Sequence, residues 1–400
     1  SGDAGSAAYV ITKEEIESVL RQNNIPAVSF GTYYDVNAFK DTLSLKQTME
    51  NLRTGQNSNP TNPFNTGETQ VVPGNVLALD VDTTQVDWKA IHSKPSDKMY
   101  INIGDKSAVY RQELMILELL SNINDENWKR PLHFATTITP SLYMNLQDKN
   151  FSLNGLSYQV VPGTPLSGGV NIEAAYDNMM NKFRWGGLEE NPNIYLDETS
   201  RRMLSTFRLY FTQLINALIE EGENEKALAA LDRITTLVPD STVHYGTDGL
   251  LFARAYYRIG EHEKAEALIS TISGRISSNL DWYGRLNPLQ ITNTLSDIVY
   301  NNINPMLLIN SIYQQYDQEK YQLMTDDLLQ HAQLYYMQGV NYVGDLILKE
   351  ITDGSVRSYY ATSQEDTITR AAAEETMQKA LGMMQQFSPR LLEQYKTTPQ

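Results

Sequence analysis

Two pairs of residues near the ends of strand-like runs could carry acid–base chemistry. Asp80 and Asp82 lie at the end of the β-rich run Val76–Val81. His133 and Tyr158 lie in two later runs of the same kind. Carboxylate, imidazole and phenol groups perform general acid–base catalysis when a fold brings them together. If the four side chains met, the chain would be a hydrolase or a transferase, and their dispersal would remove that hypothesis.

Patterns typical of other catalytic and metal centres are missing from the sequence. The chain has no cysteine, which removes disulfides, thiolate ligands and cysteine nucleophiles together. None of its five histidines pairs with another at the spacing of a helical zinc site. The run that begins at Gly104 lacks the earlier glycine of a phosphate-binding loop. We therefore expect no cofactor, no metal ion and no catalytic residue.

The charge balance bears on the partners of the chain. The formal net charge is −16, and a phosphate backbone is bound by a basic surface, so we expect no nucleic-acid partner. No apolar run approaches the length of a membrane span. We interpret the chain as a complete soluble protein or as a soluble piece of a longer one.

The second half of the chain contains a repeat that predicts paired helices. The string Gly222-Glu-Asn-Glu-Lys-Ala227 aligns with Gly260-Glu-His-Glu-Lys-Ala265, 38 residues further on. Each glycine would end a first helix in a left-handed turn, and each small alanine would let two helices approach closely. Pro239 would end the second helix of the first copy. The pattern is typical of a tetratricopeptide-like repeat whose extra residues lie in 239–249.

Aromatic and cationic side chains on these helices form a candidate binding surface. Stacked helix pairs expose a long face, where aromatic and polar groups could bind a peptide or a sugar. The alternative interpretation is that the rings fill gaps between helices. The candidate residues are Tyr210, Arg254, Tyr256, Tyr257, Tyr335 and Tyr336.

Periodicity predicts two domains of different class. Residues 1–190 alternate strands with helices, which favours an α/β layer that is at least partly parallel. A polar linker follows, and residues 195–400 are predicted to be an all-α, tetratricopeptide-like domain. Arg53–Pro73 is predicted to be a loop and Ile172–Trp185 a helix. Other predicted elements are the helices Val10–Gln22, Ala108–Asn122, Tyr342–Thr352, Ala371–Phe387 and Pro389–Tyr395 and the strands Ile25–Tyr34, Met99–Ile103 and Gly155–Val161.

Several strings carry a family resemblance. Asn127-Trp-Lys-Arg-Pro131, Gly155-Leu-Ser-Tyr-Gln-Val-Val-Pro162 and Tyr176-Asp-Asn-Met-Met-Asn-Lys-Phe-Arg-Trp185 resemble the soluble region of a bacterial family of multi-pass membrane proteins. That family has no known function and is related to protein O-mannosyltransferases of the membrane-embedded glycosyltransferase type. The residues that carry the resemblance are Trp128, Arg130, Pro131, Tyr158, Pro162, Asn178, Lys182, Trp185, Gly222, Ala227, Pro239, Gly260 and Ala265.

The resemblance implies a location and a role. In that family the membrane half comes first and holds the catalytic acidic positions, and the soluble region lies outside the cytoplasmic membrane. This chain would then be a non-catalytic, periplasmic module that scaffolds or binds a protein or glycan acceptor through its helical repeats. Its own membrane-spanning half would be a partner in the intact protein. The α/β domain could also lack strands that the family has upstream. The alternatives are a free-standing peptide-binding scaffold and the independent enzyme described above.

Overall fold

The computed structural model describes residues 6–10, 18, 22, 42–54, 58–59, 69–104, 108–191, 193–286 and 288–337. Two compact units divide the chain, Ser1–Phe183 and Arg184–Gln400. The first contains mixed sheets and the second contains helices, so the broad prediction of an α/β region followed by a helical region is confirmed.

The described part of the first unit contains short strands in small sheets. Strand order is β3-β4-β1-β8 in one sheet, β2-β5-β7 in the next, β10-β11-β9 in a third and β12-β6 in the last. The bounds are β1 Ser6–Val10, β2 Leu43–Ser44, β3 Ser58–Asn59, β4 Thr69–Val72, β5 Val76–Asp80, β6 Ser93–Lys94, β7 Lys98–Asn102, β8 Ala108–Tyr110, β9 His133–Ala135, β10 Phe151–Leu153, β11 Ser157–Val160 and β12 Thr164–Pro165.

Alternating burial explains why the central strands form. Strand β5 buries Leu77 and Leu79, and its antiparallel partner β7 buries Met99 and Ile101 on the same face. Side chains of a strand alternate between its two faces, so these four residues share one apolar layer. Among the described strands, β1 with β4 and β2 with β5 pair in parallel and the other ladders are antiparallel, so the expected parallel character is limited.

Helices complete the core of the first unit. The helix α1, Leu45–Thr54, packs on β2 and β5, and α2, Arg111–Asp125, packs on β1 and β8. Leu117 and Leu120 of α2 are almost fully buried in the same cluster as the strand residues. A third helix, α3, spans Ile172–Asp177 and continues as a π-helical turn over Asn178–Lys182. The predicted helix Ile172–Trp185 therefore ends three residues early.

Other predictions differ locally from the structure. The predicted loop Arg53–Pro73 contains the short strands β3 and β4, because the many Asn, Pro, Gly and Thr residues of this stretch favour a loop in the sequence. Val10 ends a strand instead of starting a helix. The predicted strand Ile25–Tyr34 and the helices predicted after residue 337 lie outside the described residues.

The described part of the second unit is helical. Its helices are α4 Glu198–Glu220, α5 Asn224–Leu237, α6 Thr247–Arg258, α7 His262–Tyr283, α8 Pro288–Asn293, α9 Leu295–Ile298, α10 Asn304–Tyr316 and α11 Gln318–Met337. Consecutive helices pair as α4 with α5, α6 with α7, and α10 with α11. The first helix of the middle pair, α6, also contacts α4 and α10, so the three pairs stack through their first helices.

The two glycine turns of the repeat have the same geometry. Gly222 and Gly260 have φ values of 78° and 89°, the left-handed region that glycine adopts without a steric penalty. After α4, Glu223 donates its N–H to the Leu218 carbonyl, and after α6, Glu261 donates to the Tyr256 carbonyl. Together with the glycine N–H bonds to Ile219 and Tyr257, these are Schellman motifs at both helix ends.

The same spacing of 38 residues relates buried positions of the two helix pairs. Ala227 and Ala265 are fully buried, as expected where two helices approach closely. Pro239 follows the end of α5 by two residues, in the segment that connects α5 to α6. Position pairs buried in both copies are Leu214 and Phe252, Ala217 and Ala255, Leu218 and Tyr256, Leu231 and Ile269, and Ile234 and Ile272.

A buried arginine holds the segment between α5 and α6. Arg208 of α4 is fully buried and donates to Asp248 at 2.8 Å and to the carbonyls of Val238 and Val243, both at 2.6 Å. Its guanidinium lies 4.2 Å from the ring centroid of Tyr245. Burying a charged group costs much free energy unless it is paired and hydrogen-bonded, and here Asp248 and the segment's carbonyls bond the two terminal nitrogens of Arg208, whereas Nε has no partner among the described residues.

Asp240 fixes the same segment from the side of α7. Its carboxylate accepts from Arg275 at 2.9 and 3.0 Å and from the Tyr245 N–H at 2.6 Å. Burial alone would raise the pKa of Asp240, but the Tyr245 N–H and the Arg275 guanidinium outweigh that effect and hold the pKa below its usual value.

This lowered pKa predicts a loss of stability in acid. A carboxyl group whose pKa is lower in the folded state stabilises the fold above its unfolded value, 3.8 here, and that contribution disappears as pH falls through the folded pKa. We expect Asp240→Asn to be less stable near neutral pH and to lose less stability in acid than the wild type. Urea unfolding between neutral pH and pH values below 3.8 measures the stability of both proteins and its loss in acid. Glu190→Gln, an exposed carboxyl change, is the control and should follow the wild-type curve.

Candidate functional site

Most of the tyrosines predicted to line a binding surface are buried. Tyr210, Tyr256 and Tyr257 expose 8%, 3% and 5% of their surface. The Tyr256 hydroxyl donates to Asp232 at 2.9 Å, and the Tyr257 hydroxyl donates to Glu266. Burial raises the pKa of both phenols, so they stay neutral donors. These rings fill gaps between helices, which corrects the prediction that they form a surface.

Arg254 lies on the open side of α6. The helices α4, α7 and α10 pack against α6. Leu251, Arg254 and Arg258 are spaced so that they share one face of α6, and all three are at least partly accessible. Arg254 has no ion pair within the described part of the chain. Tyr335 and Tyr336 lie in α11, but their side chains are outside the described residues.

A matching stripe of α4 extends this open side. Leu209, Gln213 and Asn216 follow one another along α4, and Leu209 is 44% exposed. Arg258 of α6 donates to the Asn216 side chain at 3.0 Å, which joins the two stripes. We call the surface of Leu209, Gln213, Asn216, Leu251, Arg254 and Arg258 the α4–α6 face.

The predicted acid–base residues do not meet. Asp80 and Asp82 belong to the end of β5, whereas His133 and Tyr158 belong to the sheet of β9, β10 and β11. Asp80 lies 3.6 Å from the Lys98 ammonium. Asp82 accepts the Thr84 hydroxyl at 2.6 Å, which lowers the pKa of its carboxyl group. Each of these two carboxylates therefore interacts with a neighbouring residue other than His133 or Tyr158.

The other two residues of that hypothesis also have neighbours of their own. The Tyr158 ring stacks on Phe151 at 5.3 Å. His133 contacts the Ser157 hydroxyl at 3.2 Å, and desolvation lowers the pKa of its imidazole. The strand register pairs Tyr158 with Phe134, so His133, one residue earlier, faces the opposite side of the sheet. The structure gives no support to a hydrolase or transferase site built from these four residues.

The first unit does contain a polar cleft elsewhere. Its volume is about 630 Å³, and its walls come from the turn after β5 and from α3 with its π-helical turn. π-helical turns are frequent at functional sites. The lining residues are Asp87, Lys89, Ala90, His92, Asn171, Glu173, Ala174, Asp177, Asn178 and Lys182.

One wall of this cleft is fixed by internal bonds. Lys182 contacts the Asp177 carboxylate at 2.6 Å and donates to the Asn178 side-chain oxygen at 3.3 Å. The Asn178 amide donates to the Asn154 carbonyl at 2.7 Å. Hydrogen bonds from Lys182 and Asn181 hold the pKa of Asp177 below its usual value, so this carboxyl group stays ionised.

The remaining wall residues include polar groups without partners among the described residues. Asn171 is 7% exposed; its side-chain oxygen accepts the Ala174 N–H at 3.1 Å, and its amide nitrogen has no acceptor there. His92 has a buried Nδ1 without a partner and a left-handed backbone with φ of 53°. Strained backbone of this kind is frequent at ligand sites.

The sequence indicates only some of the residues that line this cleft. Asn178 and Lys182 were identified through the family resemblance, and both line it. Asp87, Lys89 and Glu173 were missed, because residues 87–92 and 171–182 are distant in sequence and meet only through the fold. A local signal existed in Asn171, which caps α3 as expected of a polar residue before a helix.

The other residues that carry the resemblance have structural positions. Trp128 is buried and donates to Asn124 at 3.0 Å, and Arg130 pairs with Glu126 at 2.6 Å. Pro162 is buried and Pro131 is exposed. Trp185 packs edge-on against Phe207 at 5.7 Å. These residues stabilise the fold and line neither the cleft nor the α4–α6 face.

Comparison with known proteins found a family model that matches part of the chain. Residues 4–177 match the family model described as TMEM260-associated domain 2, a family of unknown function. The match includes the strings around Trp128 and Tyr158 and ends before Asn178, so it does not reach the helix pairs. Searches of curated proteins and of solved structures gave no match.

Two further observations concern the described residues. None of their helices is both long and apolar enough to span a bilayer. Nor do three or more of their His, Asp and Glu side chains converge as the ligands of a metal ion would.

Proposed function

We propose that this chain is a non-catalytic recognition module of a membrane-embedded, glycosyltransferase-like protein, on the extracytoplasmic face of the membrane. The family match supports this proposal, since the family is named for its association with TMEM260, an O-mannosyltransferase-like membrane protein. The related transferase chemistry belongs to the membrane half, which is the partner of this module in the intact protein.

In this proposal the helix pairs are a tetratricopeptide-like array that binds the acceptor. The repeated Schellman turns and the buried positions 38 residues apart support the array. Repeat arrays of this kind expose an extended face whose side chains do not pack in the core. The observation that carries the proposal is the α4–α6 face, where Arg254 is accessible and has no ion pair among the described residues.

The composition of this face favours a polypeptide acceptor. Leu209 and Leu251 offer apolar contact beside the two arginines. An arginine fork recognises carboxylates in two-point geometry, and the exposed Leu209 and half-buried Leu251 can contact apolar side chains of a peptide. We therefore infer that an extended or helical segment with acidic and apolar residues binds here.

Peptide and glycan arrays probed with the purified chain test this function. We expect binding to acidic–apolar peptides and a loss of about tenfold in affinity in the double variant Arg254→Ala/Arg258→Ala, because central arginines commonly dominate such interfaces. Arg285→Ala, an exposed arginine beyond the end of α7, is the matched control and should bind normally. An absence of peptide binding, or peptide binding that survives the double variant unchanged, would overturn the proposal.

A further inference from the structure

The polar cleft of the first unit opens to solvent and is lined in part by donors and acceptors that bond no other described residue. Its volume of about 630 Å³ lies within the range of about 300–1,000 Å³ that small-molecule sites occupy. Lys89 and Glu173 have no side-chain partner within the described residues, and the amide nitrogen of the buried Asn171 has no acceptor there.

The charges of the walls restrict the kind of ligand. Asp87, Glu173 and Asp177 would repel an anion such as a phosphate, because like charges in a cleft destabilise one another. Lys89 and Lys182 would in the same way disfavour a cation. Side chains of both signs line one space, so an uncharged molecule meets no net repulsion.

The unpaired groups also restrict the ligand's polarity. The Asn171 amide nitrogen can only donate a hydrogen bond, and the Glu173 carboxylate can only accept one. A hydroxyl group donates and accepts at once, so a ring carrying several hydroxyls can bond both kinds of group.

The rigid wall provides preorganisation. The Asn178 amide is held by the Asn154 carbonyl, and Lys182 bonds both Asn178 and Asp177, so Asn178 has a fixed position before any ligand arrives. Sites that are ordered in advance lose less conformational entropy on binding.

We propose that this cleft binds a neutral carbohydrate of one or two rings. Glu173 and Asp87 accept from its hydroxyls, and Asn171 and Lys89 donate to them. This site is in the α/β unit and is independent of the α4–α6 face, so each proposal stands or fails alone.

Saturation-transfer NMR on the whole chain tests the proposal with D-mannose, D-glucose, D-galactose and N-acetyl-D-glucosamine as probes. Inorganic phosphate is the charged probe. We expect saturation of at least one sugar and none of phosphate. Silence across the four sugars, or competition by phosphate, would overturn the assignment.

Two variants locate the binding in the cleft. Asn171→Asp keeps the oxygen that caps α3 and removes the amide donor, and Glu173→Gln removes a charged acceptor. Each should weaken the sugar's affinity about tenfold, the scale of one lost hydrogen bond to a charged or buried group. Asp148→Asn, an exposed carboxylate outside the cleft, is the control. Unchanged affinity in both cleft variants would place the sugar elsewhere and contradict the proposal.

Discussion

Replacing Arg208 by methionine should destabilise the helical unit far more than a change at any of its exposed arginines. Removing one partner of a buried ion pair costs about 3–5 kcal/mol, because the other charge remains buried without compensation. Asp248 is that partner, and the Val238 and Val243 carbonyls lose their donor as well. Urea unfolding followed by far-ultraviolet circular dichroism measures the change in the free energy of unfolding.

Two further variants distinguish the effect of the Arg208–Asp248 ion pair from the effect of changing any arginine of α4. Arg202→Met changes an exposed arginine of the same helix and should alter stability by less than about 0.5 kcal/mol. Arg208→Met/Asp248→Asn removes the orphaned charge, so its cost should be smaller than the sum of the two single costs. A fully additive result, or an Arg208→Met protein as stable as the wild type, would show that Arg208 does not hold the segment between α5 and α6.

Alanine at position 249 should destabilise the protein although glycine is a poor helix former. A Cβ at Gly249 would lie 2.5 Å from the Tyr245 Cβ and 2.9 Å from the Ile272 side chain. Tyr245 cannot retreat easily, because its ring contacts Arg208 and its N–H is bound by Asp240. Overpacking of this kind costs about 1–3 kcal/mol.

Alanine at position 274 should instead stabilise the protein. A Cβ there meets no atom within 4 Å, and Gly274 lies inside α7 on its exposed side. Alanine at such a position stabilises a helix by about 0.5–1 kcal/mol relative to glycine. Thermal unfolding of both variants beside the wild type gives the comparison. Equal effects at positions 249 and 274 would contradict the close packing of α6 on α7.

The helix pairs could be predicted from the sequence because their signal is local and repeated. Gly222 and Gly260 mark the same turn, and the alanines five residues on mark the same helix contact. The prediction that Tyr210, Tyr256 and Tyr257 line a surface was wrong, because an aromatic residue on a helix can lie either in the core or on the surface. The spacing of 38 residues also aligns Tyr256 with Leu218. Leu218 is buried, so the repeat itself indicates a core position for Tyr256.

Arg208 and the cleft could not be predicted in the same way. Arginine is rarely buried, and the carbonyls that bind Arg208 belong to an irregular segment with no periodic pattern. The cleft depends on the turn at residues 87–92 meeting α3, a long-range contact that periodicity does not record. Sequence patterns thus predicted the helix pairs, while the polar sites required the fold.

Photo-crosslinking from the α4–α6 face tests the central claim of acceptor binding most directly. p-Benzoylphenylalanine would replace Gln213, an exposed residue of this face, in one protein and Arg285 in another, and each would be irradiated with the peptides that the array selects. Attachment of peptide at position 213 and little or none at position 285 is the predicted result. Equal attachment at both positions, or none at position 213, would contradict the assignment of this face as the binding surface.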